Sequence, residues 1–408
     1  MSPKRNKSAV AIYLAFVLAW AAVFITWAPV CAQGLNQWPE ALTARQTGVD
    51  FVEVARRFPR FKTLVLTSFT HNLGLSDIQQ LADLGAFPQS GGSLGLLGRD
   101  WQVLFTRAKD LHRLRASSLT AEVVPLTRFK TCGIYQISFK LVDDEYSGPL
   151  GFKISMPRSG FGKELIHQEL VLSPSAEHTI TKDSAGNNWL ELILPEAKKG
   201  SQVNCDVAFI YQVDIAALLN HALAMVPLDE APDLSAQSPA RSYLQPSAKI
   251  TSESPAVISL ADDLFGREKA PRKLYQAILA HIKDNLPYDQ EKRRLFFGGK
   301  MVYSDMSEMY NQPEVTLAAG KAACPSTSVL EAALLRAAGV PARTAGRWGH
   351  FYTELFMPGR GWLSTSVTPT GIPLVVDPDH RHQPFAVWNP SVKVQTTTWR
   401  GQVKVLLD

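Results

Sequence analysis

The readable chemistry of this chain begins with one cysteine. Cys324 stands before Pro325 and a run in which Val329, Ala333, Leu334 and Ala337 recur at helical spacing, closed by Gly339. Proline suits the first helical position and glycine suits the left-handed helix stop. The run therefore predicts a buried helix with Cys324 at its N-terminal tip. Unpaired N–H groups and the positive end of the helix dipole favour a thiolate there. A cysteine in such a place is also simply a small apolar residue, and position alone does not separate the two. His350 opens the run Gly349 to Phe356, which reads as a strand. Gly359-Arg360-Gly361-Trp362 reads as a turn, and Leu363 to Val367 as a returning strand. A helix-tip thiol and a strand-borne imidazole supply a nucleophile and a base. The imidazole would take the thiol proton and later return it to the leaving group.

This stretch resembles the transglutaminase-like superfamily. Its papain-like folds carry a Cys at a helix N-terminus, the phrase ALLRAAGIPAR, a His in H-x-W-x-E, then GW and an acidic residue. Here ALLRAAGVPAR runs from Ala333 to Arg343, H-F-Y-T-E from His350 to Glu354, and G-W is Gly361-Trp362. Leu286-Pro287-Tyr288-Asp289 at the end of an upstream helix, and Tyr243-Leu244-Gln245-Pro246 before it, resemble the family's approach to that core. The resemblance covers about residues 240 to 408 and implies that Cys324 and His350 form a catalytic pair. One position departs. The family's third residue is usually Asp, four positions after the Trp of GW, and that position here is Ser366. A carboxylate there would orient the imidazole and stabilise its charged form. Serine can accept a hydrogen bond but brings no charge. Asp377 is the nearest downstream acid, a weak substitute in a Pro-rich stretch. Glu354 shares the side of the strand that His350 occupies and is expected to be a structural partner.

The elements that must hold these residues follow from the rest of the chain. Lys4, Arg5 and Lys7 precede an uncharged apolar stretch from Ser8 to Val30, ending Val30-Cys31-Ala32. That is the pattern of a secretory signal over residues 1–32. An uncleaved signal-anchor is the alternative, since the stretch approaches the roughly 20 residues that span a bilayer. Without the three leader cations, 39 basic residues stand against 37 acidic ones, so no basic excess points to nucleic acid. Charged residues at 19% and hydrophobic residues at 46% exclude a disordered or coiled-coil chain. The length of 408 residues has room for two to three domains.

Residues 33–120 read as a mixed region. Thr63 to Thr70 is a strand, Ser76 to Gln79 a capping-box helix start, Gly85 its stop, and Gln89 to Gly98 a flexible glycine-rich loop. Residues 121–215 alternate as a half-buried sheet does. Tyr135, Ile137, Phe139 and Leu141 share one face, as do Val203, Cys205, Val207, Phe209, Tyr211 and Val213. A Pro- and Ser-rich connector occupies 216–265, and residues 266–408 hold the helix from Leu274 to Leu286 and the core. In an oxidising compartment Cys132 and Cys205, both in the β-rich region, are natural disulfide partners, leaving Cys324 free. Asp377-Pro378-Asp379-His380-Arg381-His382 reads as a solvated loop rather than a metal site.

The expected fold class is α+β: a papain-like transglutaminase core preceded by an antiparallel β-sandwich domain and a small mixed N-terminal region. The expected function is an exported cysteine enzyme that attacks amide bonds through a thioester. The resemblance favours peptidase or amidase action over protein cross-linking. The site residues are Cys324, His350 and Ser366, with no metal or organic cofactor. The partner is a protein or peptide substrate, cell-wall peptide among the candidates. A membrane is a partner only if the leader stays uncleaved. The rival expectation, supported by the missing acid, is an inactive homologue that binds or scaffolds.

Overall fold

The computed structural model describes residues 63–71, 73, 75–96, 99–174, 176–223, 228–230, 232–235, 238–297, 311–347, 350–366, 373–377, 385–387, 392–400 and 404–406. The expected leader at 1–32 lies outside them.

The first module is built from β1 (Thr63–Phe69), α1 (Leu75–Asp83), β2 (Ala86–Leu96), β3 (Arg99–Thr106), the short α2 (Leu111–Arg115) and β4 (Thr120–Leu126). The strands pair antiparallel in the order β2-β3-β1-β4. Val65, Leu81, Leu104, Leu114 and Leu119 form its core. Gly85 follows α1 at φ +76°, and a Cβ there would stand 2.9 Å from an Asp110 carboxylate oxygen. Only glycine fits both constraints. The flexible loop expected at Gln89 to Gly98 is corrected: its residues up to Leu96 belong to β2, paired with β3. The ladder breaks between Pro88 and Ser93, where extra residues bulge out of register. Glycines in a strand often mark such a bulge, which is why the composition read as a loop.

The second module starts with β5 (Arg128–Leu141), β6 (Ser147–Met156), β7 (Lys163–Ser173), β8 (Glu177–Lys182), β9 (Asn188–Lys198) and β10 (Gln202–Asp214). β10 pairs with β5 and β7, and β9 pairs with β6 and β8, all antiparallel. Burial alternates along β10, with Val203, Cys205, Val207, Phe209, Tyr211 and Val213 all inside. Both sheets contribute to one cluster, and the rings of Phe139 and Phe152 meet at 4.6 Å between centroids. Each such buried side chain contributes roughly 1.5–3 kcal/mol. The turn before β9 is fixed by Asp183, whose carboxylate accepts from the Ala185 and Asn187 N–H groups, the Asn187 amide and the Trp189 indole.

Register overturns the expected disulfide. Cys205 pairs with Ile137, while Cys132 pairs with Ile210, five residues along the same two strands. Five steps of about 3.4 Å separate the two sulfur positions by far more than a bridge spans. Five is also odd, so the two side chains point to opposite faces. Among the described residues, none of Cys132, Cys205 and Cys324 is in a disulfide.

The chain then runs through α3 (Ile215–Asn220), a 3-10 turn at Pro239–Leu244, α4 (Pro255–Phe265), α5 (Pro271–Asn285), α6 (Gln290–Phe297), α7 (Pro313–Ala319) and α8 (Cys324–Ala337). The Pro- and Ser-rich stretch thus ends in a helix rather than a linker. Ser254 accepts from Val257 N–H as its N-cap, and Pro255 opens it. A third sheet follows, made of β11 (Ala342–Arg347), β12 (His350–Met357), β13 (Gly361–Ser364) and β14 (Pro373–Asp377), in the order β13-β12-β11-β14. Val257, Leu274, Ile278, Val329, Ala333, Leu334 and Leu355 join four elements in one core.

The last strands return to the second module. β15 (Phe385–Val387) pairs with β6, and β16 (Val394–Arg400) and β17 (Lys404–Leu406) both pair with β5.

Candidate active site

Two anchors fix Cys324. Gly339 at φ +82° ends α8, with Val340 N–H donating to Leu335 O at 2.9 Å. Toward its start, α8 is bound to β12: Thr353 Oγ1 lies 2.6 Å from Glu331 Oε2 and 3.2 Å from Ser328 O. The segment before the cysteine is stitched to the end of α5. Asp289 N–H donates to Ala322 O at 3.0 Å, and Ala322 N–H to Pro287 O at 3.2 Å. That bridge sets Tyr288 beside Cys324. Asp289 itself accepts from Lys292 N–H at the start of α6 and pairs with Lys321 at 3.3 Å.

The thiol is ringed by donors. The backbone N–H of Phe351, the Tyr288 hydroxyl and the cysteine's own N–H all act on it, and the Arg347 guanidinium adds positive charge. Burial nevertheless outweighs them and pushes the thiol above its ordinary value. Desolvation works against the thiolate that the helix tip favours.

Arg347 and His350 are opposite one another in the β11–β12 ladder. His350 is partly buried, and burial, followed by the Arg347 charge, pulls its imidazole down to about 3. The ring stacks toward Tyr352 at 6.2 Å. Thr353 turns toward α8 and the Phe351 N–H reaches the Cys324 thiol, whereas by register His350 shares the other face of β12 with Tyr352 and Glu354. Cys324 is thus held against the strand one residue from His350. Among the described residues, no hydrogen bond joins thiol and imidazole.

Ser366 follows β13. Glu354 pairs with Ser364, and Thr365 N–H donates to Thr353 O at 3.0 Å, which sets Ser366 level with Tyr352. Ser366 thus lies just past the end of β13, the strand that pairs with β12. Its carbonyl oxygen accepts from Arg347 Nη1 at 3.4 Å and from Ser364 Oγ at 3.1 Å. Asp377 lies elsewhere. It pairs with Thr344, while Arg347 pairs with Pro373. Two strand spacings and three residue steps place its backbone about 14 Å from that of His350. Glu354 is bound by Arg343 through Nε at 2.8 Å and Nη2 at 2.7 Å, with the guanidinium 3.8 Å over the Trp362 ring. It is a structural partner and holds the sheet.

Tyr288, Phe351 N–H and Arg347 were not singled out from sequence. Arg347 had a usable signal: only Trp348 and Gly349 separate it from His350, the length of a tight hairpin link. Among the described residues, no group of three or more His, Cys, Asp or Glu side chains is placed to hold a metal. The Asp377–His382 cluster, apart from the Asp377 backbone, lies outside the described residues.

Residues 258–367 match the family model of the transglutaminase-like superfamily. No curated protein matches the chain. Among solved structures, a candidate cysteine protease from Cytophaga hutchinsonii is 16% identical with a TM-score of 0.49, over 69% of this chain and 92% of that one. A candidate protease from Parabacteroides distasonis is 11% identical with a TM-score of 0.24, over 68% of this chain and 50% of the other.

Proposed function

We propose that the transglutaminase-like domain at 258–367 makes this chain an exported cysteine enzyme that cleaves amide bonds, with Cys324 as nucleophile and His350 as base. The observation that carries this reading is the ring of donors at the thiol: Cys324 N–H, Phe351 N–H and the Tyr288 hydroxyl. Donors that favour a thiolate also stand near the carbon it attacks. There they can take the oxyanion of a tetrahedral intermediate. In the reaction, sulfur forms a bond to the amide carbon and the thiol proton passes to His350, whose ring must come within hydrogen-bond reach of the thiol in the substrate complex. Collapse breaks the C–N bond, and the amine leaves with that proton. Water then hydrolyses the thioester. Peptidase or amidase action is favoured over cross-linking, and export follows from the leader sequence. The two sheets that share one core and take up the last strands serve as the antiparallel β domain of this enzyme.

A second reading, a binding or scaffold protein on an inactive core, is favoured by one specific observation. Beside the imidazole, where an acid would stabilise its charged form, stand Ser366 and the cation Arg347. A thiol-directed activity probe and a mixed peptide-amide library, applied to wild type and Cys324→Ala, separate the two. Labelling and turnover that vanish in the variant support the enzyme. Turnover that survives Cys324→Ala removes Cys324 as the nucleophile, and no turnover in wild type supports the binding protein.

A further inference from the structure

α8 buries one carboxylate among its apolar residues. Glu331 is 6% exposed, with Leu330, Ala332, Ala333 and Leu334 fully enclosed on either side of it in the helix. Taking a carboxylate out of water is costly, and an apolar side chain fills such a place without that cost. What the carboxylate gains is a directed contact with β12. Thr353 Oγ1 donates to Glu331 Oε2 at 2.6 Å, within the range of a charge-assisted bond between hydroxyl and carboxylate. Ser328 O lies farther from the same oxygen, at 3.2 Å, and a hydroxyl has one proton to give. The peptide of Thr353 is pinned as well. Its N–H donates to Thr365 Oγ1 at 3.2 Å, and its carbonyl accepts from Thr365 Oγ1 at 2.8 Å and from Thr365 N–H at 3.0 Å. β13 ends at Ser364, so the Thr365 hydroxyl takes the place of the next ladder partner. Thr353, fully buried, thereby joins α8, β12 and the end of β13.

We propose that Thr353 and Glu331 are positioning residues for Cys324: their bond sets the gap at which the Phe351 N–H meets the thiol. The proposal rests on the cysteine-enzyme reading and adds to it a pair that touches neither the substrate nor the transferred proton. Two offsets carry it. Thr353 stands two residues from Phe351, and two residues are one strand period, so their N–H groups point to the same edge of β12. Glu331 stands seven residues from Cys324, two turns along the same side of α8. Fixing Thr353 on Glu331 therefore fixes Phe351 N–H on the sulfur. Apolar contacts are non-directional, so packing alone leaves the helix able to slide on the sheet. A displacement of about 1 Å at a reacting centre costs about a hundredfold in rate. The charge of Glu331 is not the instrument, since it lies about 10 Å along the helix from Cys324 and would disfavour a thiolate.

The experiment follows alkylation of Cys324 by iodoacetamide in the full chain from pH 6 to 10, read by mass spectrometry of its peptide. Thr353→Val keeps the shape of the side chain and removes the hydroxyl. It is expected to slow labelling at pH 8 about tenfold, the effect of withdrawing one hydrogen bond from the thiolate. Thr353→Ser restores the donor and is expected to stay within about twofold of wild type. Glu331→Gln keeps an acceptor oxygen and is expected to lose about threefold, and Glu331→Leu to match Thr353→Val. Because the two residues act through one bond, Thr353→Val with Glu331→Leu is expected to be no slower than Thr353→Val alone. Thermal melts of each variant check folding; if Thr353→Val does not fold, Glu331→Gln against Glu331→Leu decides. An unchanged rate in Thr353→Val, no rescue by Thr353→Ser, or losses that multiply in the double variant overturns the proposal. A lower melting temperature with an unchanged pH profile makes the pair a packing contact and overturns it as well. Failure of the enzyme reading looks different: the labelling effects appear, yet wild type turns over no member of the peptide-amide library.

Discussion

Arg347 and His350 are cross-strand partners, and burial, with the Arg347 charge second, holds the imidazole neutral while burial pushes the Cys324 thiol up. The resting site is a neutral pair, unlike the thiolate–imidazolium pair that activates many cysteine enzymes. Alkylation of Cys324 by iodoacetamide should therefore rise about tenfold per pH unit between pH 6 and 8, since the thiolate fraction does so below a raised thiol pKa. Mass spectrometry of the peptide bearing Cys324 follows the rate. A flat, fast plateau from pH 5 to 7 would show an ion pair and contradict this account.

Replacing Ser366 tests how the site manages charge. Ser366→Asp puts a carboxylate near His350, but Arg347 already reaches the backbone at 366. The new acid should pair partly with Arg347, so labelling at pH 7 should rise less than tenfold. Removing the competitor as well, in Ser366→Asp with Arg347→Gln, should raise it further. Loss of the acid from a triad that has one lowers the rate by about 10⁴ in a serine enzyme, which bounds the gain. If the double variant is no faster than the single, Arg347 does not compete for the acid.

Acid stability carries a second signature of His350. Below the ordinary imidazole pKa of about 6.5, the unfolded chain takes up a proton that the folded chain refuses down to about 3. Folding stability should therefore fall as pH drops from 6.5 toward 3, by up to about 1.4 kcal/mol per unit from this one group. Other groups add their own slopes, so the comparison is with His350→Gln. Urea unfolding at pH 7, 6, 5 and 4 should show a smaller loss in the variant. Parallel losses would mean that the imidazole protonates freely in the native state.

The Arg343–Glu354 pair should behave as a buried, two-pronged bridge. Either Arg343→Ala or Glu354→Ala leaves one buried charge without its partner and should lower stability by about 3–5 kcal/mol. Arg343→Ala also removes the guanidinium from the Trp362 face, 3.8 Å away. The double variant should be less damaging than the sum of the singles, as residues in contact are not additive. Denaturant midpoints at constant slope give these values; singles within about 0.5 kcal/mol of wild type would place the pair in solvent.

The site was legible where local pattern and chemistry coincide. Pro325, the apolar stripe and Gly339 specify α8, and with it the place of Cys324, through rules that act within one helix. The alternation of Tyr135 and Val203 along their strands announced two half-buried surfaces. What escaped depends on register. Cys132 and Cys205 sit on neighbouring strands, and only the pairing of Cys205 with Ile137 shows that they stand five residues apart on opposite faces. Tyr288 reaches Cys324 through a backbone bridge between segments far apart in sequence. Arg347 was hidden because a charged residue before a turn usually reads as solvated. The glycine-rich β2 misled because composition marks conformational freedom, and a bulged strand uses the same residues.

Because β16 and β17 complete a sheet begun by β5, the order of synthesis and the order of assembly conflict. Lys393 N–H donates to Asp143 Oδ2 across 250 positions of chain, and the neighbouring β16 pairs with the same β5. A nascent chain that has made β5 to β10 must wait for the whole transglutaminase-like core before that edge is covered. Pairings of such sequence separation form slowly, and an uncovered strand edge invites the wrong partner meanwhile. Deleting residues 392–408 should therefore damage the sheet built on β5, seen as aggregation during refolding.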